Sequence, residues 1–529
     1  MVFSSLYEGI IIDSVCELIL SFVTSHFFAK IVFFYDYYLL LQLNFIVKME
    51  KSPPKKPSPL LSLVPIVVLV GLLYVAVKLF GSDTLNGASQ VVLLVSTAVC
   101  VLLSMSFCRV RWKEIESAII GNITGVASAI LILLFIGALS GTWMISGVIP
   151  TFIYYGMMII SPDFYLATTC IICAVVSVIT GSSWTTVATI GIALSGIGLA
   201  QGFSPGWIGG AIISGAYFGD KVSPLSDTTV LASAVTGTPL FIHIRYLMIT
   251  TVPSMCIALV IYAVAGFMND TTSTNDITAF SAILKSTFNI SPWLLLIPAM
   301  MILLIVKKVN VLITLFISFI IAAIFALIFQ PHLLSEIAGG EVSGLEAQIK
   351  GTLMSIYGST QIETGHEVLN NLVSTRGMAG MLNTIWLILC AMCFGGAMAA
   401  SGMLGSIISA LFRFMKNTVG MVASTVFSGF FFNICAGDQY LSIILTGDMF
   451  KDFYRKNGYE SRLLSRSAED GATVTSPLIP WNTCGMTQAT VLGISTFTYL
   501  PYCFFNIISP LMSIFIAATG YKIKRIITK

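Results

Sequence analysis

Gly215-Ala216-Tyr217-Phe218-Gly219-Asp220-Lys221-Val222-Ser223-Pro224-Leu225-Ser226-Asp227-Thr228-Thr229 decides how this chain folds. The stretch lies inside an apolar segment, Trp207 to Gly237, that is longer than one bilayer crossing needs. Proline has no backbone N–H and disfavours helix at the residue before it, so the spacing predicts a helix break near Ser223. A break in mid-span exposes carbonyl oxygens and two half-helix ends, which hydrocarbon does not tolerate unless they are buried in protein or line a polar cavity. Asp220, Lys221 and Asp227 are expensive at that depth, and such residues mark either a functional site or a structural ion pair.

Further along, Arg466 to Gly493 repeats the device with Glu469, Asp470, Pro477, Pro480, Asn482 and Thr483. Two other stretches, Phe164 to Gln201 and Val419 to Phe450, read as helical hairpins with small polar tips. The tips are Thr180-Gly181-Ser182-Ser183-Trp184-Thr185-Thr186 and Cys435-Ala436-Gly437-Asp438-Gln439-Tyr440. The register between the two sets is nearly constant: 256 residues from Gly181 to Gly437 and from Gly237 to Gly493, 255 from Asp227 to Asn482. Ser223-Pro224-Leu225 stands against Ser476-Pro477-Leu478 at a shorter offset, which places a small insertion, Ile479-Pro480-Trp481, in the second copy. After the first hairpin comes Gln201 to Gly206 without a cation, whereas the corresponding loop of the second copy carries five Lys and Arg residues. Loop cations orient spans, so the two copies are expected to face opposite sides. The predicted fold is an all-α polytopic membrane protein: an inverted repeat with two re-entrant helical hairpins and two broken transmembrane helices. Repeat 1 covers about 118–267, repeat 2 about 380–520, with connecting helices at 288–329.

Composition requires a membrane. A chain of 529 residues that is 56% hydrophobic and 10% charged cannot cover a globule with polar surface. The remaining clean spans are Leu60 to Phe80, Ala88 to Phe107, Ala118 to Leu139, Tyr246 to Phe267, Phe288 to Val306, Val309 to Phe329, Gly380 to Ala400 and Thr496 to Gly520. Thr142 to Met158 and Met403 to Met415 are amphipathic and read as interfacial. Pro331 to Arg376 reads as an outward, acidic, solvated loop. The cations, among them Arg109, Arg245, Lys307, Lys451, Arg462, Arg466 and Lys522, are assigned to the cytosol. Net charge is +3 and confined to short loops, so no nucleic-acid role follows. Eleven cysteines are scattered through apolar runs, and Cys170/Cys173 and Cys390/Cys393 have CxxC spacing without the context of a metal site. Met49-Glu50-Lys51-Ser52-Pro53-Pro54 is a cytosolic-type start; residues 1–48 form an N-terminal extension expected to be dispensable, ahead of one transporter domain at 49–529. His243 beside Arg245 reads as an interfacial structural histidine with pH sensing as the sharper alternative.

The expected ion and proton site is Asp227, Asp220, Thr228, Asp438, Asn482 and Thr483, with the hydroxyls of Ser182, Ser183 and Thr185. Lys221, Ser223, Glu469 and Asp470 are accessory. Carboxylate, carbonyl and hydroxyl oxygens suit a hard cation such as sodium, and a carboxylate that binds either sodium or a proton is a sufficient basis for exchange.

The quoted stretch, together with Gly181-Ser182-Ser183-Trp184-Thr185-Thr186 and Ser476-Pro477-Leu478-Ile479-Pro480-Trp481-Asn482-Thr483, resembles the signatures of the NhaC-type sodium/proton antiporter family of the ion transporter superfamily. The resemblance runs from about Pro59 to the C-terminus. It implies scaffold helices around an elevator-like moving domain, a bacterial-type inner-membrane location with the N-terminus of the core in the cytosol, and scaffolds that are commonly homodimers. It implies efflux of sodium or lithium against protons, with no cofactor and with small inorganic cations and the lipid bilayer as partners. The same family contains exchangers of small organic acids such as malate and lactate, which is the alternative. A membrane enzyme or passive channel is disfavoured, since no nucleophile–base pair, cofactor motif or filter is evident.

Overall fold

The computed structural model describes residues 55–523 apart from 81–83, 85–86, 269–273, 340–342, 366–368, 371–372, 412–414 and 416. The expected dispensable extension and His366 lie outside the described residues. Among those residues the fold is all-helical, with a single isolated bridge between Thr360 and Thr375. Among the described residues nine helices are long and apolar enough to cross a membrane, or eleven if two bent pairs each count as one crossing.

The helices are, in chain order, α1 Pro59–Phe80, α2 Ala88–Leu103, α3 Trp112–Gly125, α4 Ala127–Ile145, α5 Val148–Ile159, α6 Tyr165–Thr180 and α7 Ser183–Ala200. Then follow α8 Pro205–Val222, α9 Asp227–Thr236, α10 Leu240–Met268, α11 Thr274–Thr287, α12 Leu296–Val306, α13 Val311–Phe329, α14 Pro331–Ile337 and α15 Gly344–Tyr357. The last group is α16 Leu382–Ala400, α17 Met403–Leu411, α18 Thr418–Ala436, α19 Gln439–Lys456, α20 Ser461–Gly471, α21 Thr483–Leu492 and α22 Phe504–Thr519.

Both expected hairpins are present as α6–α7 and α18–α19, and both expected interruptions as α8–α9 and α20–α21. Each hairpin turns on a glycine in the left-handed region, Gly181 at φ 69° and Gly437 at φ 68°, which a residue with a Cβ adopts only at a cost. The next residue then caps the second helix: the Ser182 Oγ accepts the Thr185 N–H, and the Asp438 carboxylate accepts the Leu441 N–H. The interruptions are built alike. Ser226 caps α9 and Asn482 caps α21, and each short helix ends on a left-handed glycine, Gly237 and Gly493. Each of these four matches is offset by 256 residues. By capping role Asn482 therefore corresponds to Ser226 and Thr483 to Asp227, one residue from the pairing expected from sequence. The extra residues of the second copy fill the whole irregular segment between α20 and α21, and Ile479-Pro480-Trp481 is only part of it.

Several spans differ from expectation. Ala118 to Leu139 is not one helix, because the chain breaks at Val126 between α3 and α4. Thr142 to Ile145 complete α4, and α5 buries Val148, Ile149 and Ile153. The span expected from Phe288 is helical over 292–306 and is joined at 87° to a further helical piece at 280–287, and the one expected from Thr496 bends by 54° before Phe504. The first break, at 288–291, ends at Pro292, and the second, at Cys503, follows Pro501 by two residues; proline has no N–H with which to extend a helical ladder. Pro331 to Arg376 is no simple solvated loop: α14 and α15 pack on each other, and α15 packs on α4 through the backbone of Ser355 against Gly141. Arg466, assigned to a cytosolic loop, is fully buried within α20. Hydrophobic residues on that helix turn it inward, with Leu463 and Leu464 at 1% exposure.

Two apolar cores result. One gathers α4 to α8, α10, α12 and α13; the other gathers α1 to α3 and α16 to α20. The interrupted segments cross between them. Cys484 and Ala489 of α21 join the first core while Met486 joins the second. Ala232 of α9 packs with Ile443 of α19 and Ala472. The second break runs between the two cores, with Val474 and Leu478 in the first and Trp481 packed on the second.

The most extensive helix pairing is α6 with α8. It depends on glycine: a Cβ at Gly219 would sit 2.5 Å from the Ala174 carbonyl oxygen and 2.6 Å from the Val178 nitrogen. Backbone cannot yield as a side-chain tip can. Gly219→Ala should destabilise the protein by about 1–3 kcal/mol through overpacking, measured as a lowered thermal unfolding temperature in detergent. An unchanged temperature would show that α8 stands further from α6.

Candidate ion-binding site

Asp220 closes the C-terminal turn of α8 and is 4% exposed. Its Oδ2 accepts the Ser183 N–H at 3.2 Å and the Ser183 hydroxyl at 2.6 Å; its Oδ1 accepts the Ser226 hydroxyl at 2.6 Å. The first hairpin tip and the first helix break are thereby joined through one carboxylate. Ser226 and Thr228 share a hydroxyl contact at 2.9 Å, and the Thr229 hydroxyl donates to the carbonyls of Asp220 and Lys221. Ser223 serves the backbone: its hydroxyl donates to the Val178 carbonyl at 2.8 Å and accepts the Leu225 N–H. Ser182 and Thr185 bond each other at 3.1 Å inside the tip.

The second set is arranged comparably. Asp438 is 5% exposed and accepts the Thr483 hydroxyl at 3.1 Å, while the Thr483 N–H donates to the Gly437 carbonyl at 2.8 Å. The Asn482 amide oxygen accepts the Cys484 N–H, and its nitrogen donates to the Asn433 side chain at 3.2 Å. Asn433 in turn donates to the Ala472 carbonyl and to the Thr475 hydroxyl. The start of α7, just after the first tip, packs against α21, which brings the first hairpin to the second interruption.

Four residues are placed differently from expectation. Asp227 is exposed on the first turn of α9 and makes no hydrogen bond among the described residues. Lys221 does not pair with Asp220; it forms a fully buried ion pair with Asp470, and Ser509 bridges the two. The Thr250 hydroxyl donates to the other Asp470 oxygen at 3.1 Å. Glu469 is fully buried with neither oxygen bonded. His243 is buried, its Nδ1 2.8 Å from the Ser465 hydroxyl. Sequence reading missed Ser226, Asn433, Ser509 and Thr250. Ser226, three residues before Thr229 at a helix start, carries a capping signal; the other three carry none.

No group of three or more metal-ligating His, Cys, Asp or Glu side chains exists among the described residues. What the site offers is oxygen from carboxylates, hydroxyls and freed carbonyls, buried between interrupted helices of a multi-span bundle. That combination is the kind of site a membrane transporter builds for a small ion.

The chain belongs to the Na+/H+ antiporter family, whose profile matches residues 215–521. It is 36% identical over 425 residues to the Na(+)/H(+) antiporter NhaC of Alkalihalophilus pseudofirmus, covering 80% of this chain and 89% of that protein. It is 34% identical over 461 residues to the Malate-2H(+)/Na(+)-lactate antiporter of Bacillus subtilis, covering 87% and 95%. Among solved structures it is similar to the YdaH transporter of Alcanivorax borkumensis, at 13% identity and a TM-score of 0.36, covering 88% and 99%.

Proposed function

We infer that this protein exchanges cytosolic sodium or lithium for external protons across a bacterial-type inner membrane, with the core N-terminus cytosolic. The observation that carries the reading is the Asp220 carboxylate, held between hairpin tip and helix break by Ser183 and Ser226. Asp220, Ser183, Ser226 and Thr228 form the first half of the ion site; Asp438, Asn482 and Thr483 form the second, with Ser182 and Thr185 shaping the first tip. Sodium replaces its hydration shell with such oxygens, and a proton on the same carboxylate excludes it. The two halves are read as an inverted repeat whose hairpins and broken helices move as a unit against the scaffold. Support for the repeat comes from the matched caps and left-handed glycines at one constant offset. A homodimer is compatible with the scaffold.

One observation favours exchange of a small organic acid as a second reading. Arg466 is fully buried and none of its nitrogens has a hydrogen-bond partner among the described residues, although its guanidinium lies 4.8 Å from the Tyr246 ring centre. Guanidinium is the usual clamp for a carboxylate. Lys221, by contrast, is committed to Asp470.

Everted vesicles with an acidified lumen separate the readings. Addition of sodium should raise the luminal pH without any organic acid present. A response that requires malate or lactate transfers the assignment to the second reading.

A further inference from the structure

Glu469 occupies in α20 the position that Asp220 occupies in α8: each lies two residues before the last residue of its half-helix, Gly471 and Val222. Their neighbours Asp470 and Lys221 form the buried pair between the two half-helices. The surroundings of the two carboxylates are opposite. Asp220 accepts three hydrogen bonds, whereas both oxygens of Glu469 are unpartnered at 0% exposure.

The hydroxyl of Thr473, one turn further on, is likewise fully buried and unpartnered. From the first break, α9 packs on α20 and brings its Thr228 near Glu469, and the Thr228 hydroxyl connects through Ser226 to Asp220. No nitrogen donor reaches the carboxylate. The Lys221 ammonium is held by Asp470 and Ser509, and His243 of α10 is turned to Ser465. Arg466, one turn back in α20, makes no bond to Glu469, and α18 and α22 carry no charged side chain. Lys221 and Arg466 supply positive charge nearby without bonding this carboxylate, so what Glu469 lacks is partners for its two oxygens, and the unpartnered hydroxyl beside it, that of Thr473, offers an oxygen. Oxygen-only donor sets select hard cations.

We propose that Glu469, Thr473 and Thr228 form a second binding site for a monovalent cation, sodium or lithium, the counterpart in the second half of the site at Asp220. The proposal rests on the reading of Asp220 as the first site. It makes sodium binding a two-ion event, with Thr228 placed between the two ions.

Equilibrium binding of radioactive sodium to the purified full-length chain in detergent tests this. The wild type should saturate at two ions per chain, and Glu469→Gln and Asp220→Asn at one each. A wild-type capacity of one ion, or an unchanged capacity in Glu469→Gln, overturns the second site. If Asp220→Asn keeps full capacity while Glu469→Gln loses one ion, the first site is misplaced and the second stands. Thermal unfolding checks that each variant is folded. Should Glu469→Gln fail that check, Thr473→Val removes a single hydroxyl. It should weaken one of two sodium affinities by about tenfold and leave the other alone; two unchanged affinities overturn the proposal.

Discussion

Asp220→Asn should abolish sodium-dependent exchange in everted vesicles while leaving a folded protein of near wild-type melting temperature. The substitution is close to isosteric, and an amide oxygen still accepts from Ser183 or Ser226, so the junction of tip and break survives. What is lost is one negative charge beside the ion. At an effective dielectric of 20 such a charge about 4 Å away contributes about 4 kcal/mol, which is roughly a thousandfold in cation affinity. The exchange rate at submillimolar sodium should therefore fall below detection. Asp227→Asn is the control that discriminates. Its carboxylate is exposed and bonded to nothing among the described residues, so this variant should retain most of the activity. If Asp227→Asn is dead and Asp220→Asn active, the charge carrier sits on the first turn of α9 and the site described above is misplaced.

Sequence alone located the elements better than it located the charges. Ser223-Pro224 and the glycine pairs at Gly181 and Gly437 act through backbone chemistry, and backbone chemistry is local: both hairpins and both interruptions fall where these residues demand. Which acid turns inward depends on helix phase across a break. Asp220 lies before the break and Asp227 after it, and a non-helical linker between them resets the phase that their seven-residue spacing would otherwise fix. Lys221 shows the same limit from another side. Its partner Asp470 is far away in sequence, and no local rule selects it over the adjacent Asp220. The bend before Leu296 and the helical character of 331–357 were also hidden, since in both cases contacts with distant helices decide the conformation. Arg466 was misread because loop-charge reasoning treats every cation near a span end as a topology marker, and Leu463 and Leu464 draw this one inside.

Lys221→Met should be the most damaging of the single substitutions for stability. The ammonium and the Asp470 carboxylate are both at 0% exposure, and Ser509 and Thr250 complete the shell around them. Removing one member of a buried ion pair leaves the other uncompensated, at a cost of about 3–5 kcal/mol. Asp470→Leu should cost a similar amount for the converse reason. Replacing both together removes both charges from the interior, and methionine with leucine restores apolar contact in their place. The double variant should therefore recover more than half of the stability lost by either single one, the non-additivity expected of directly interacting groups. Thermal unfolding of the four proteins in one detergent gives the cycle. Additive losses would mean that Lys221 and Asp470 act separately, and the link between α8 and α20 would have to be sought elsewhere. If the double variant is stable yet transports nothing, the pair does more than join the two half-helices: its charges belong to the exchange cycle itself, next to the carboxylates at Asp220 and Glu469.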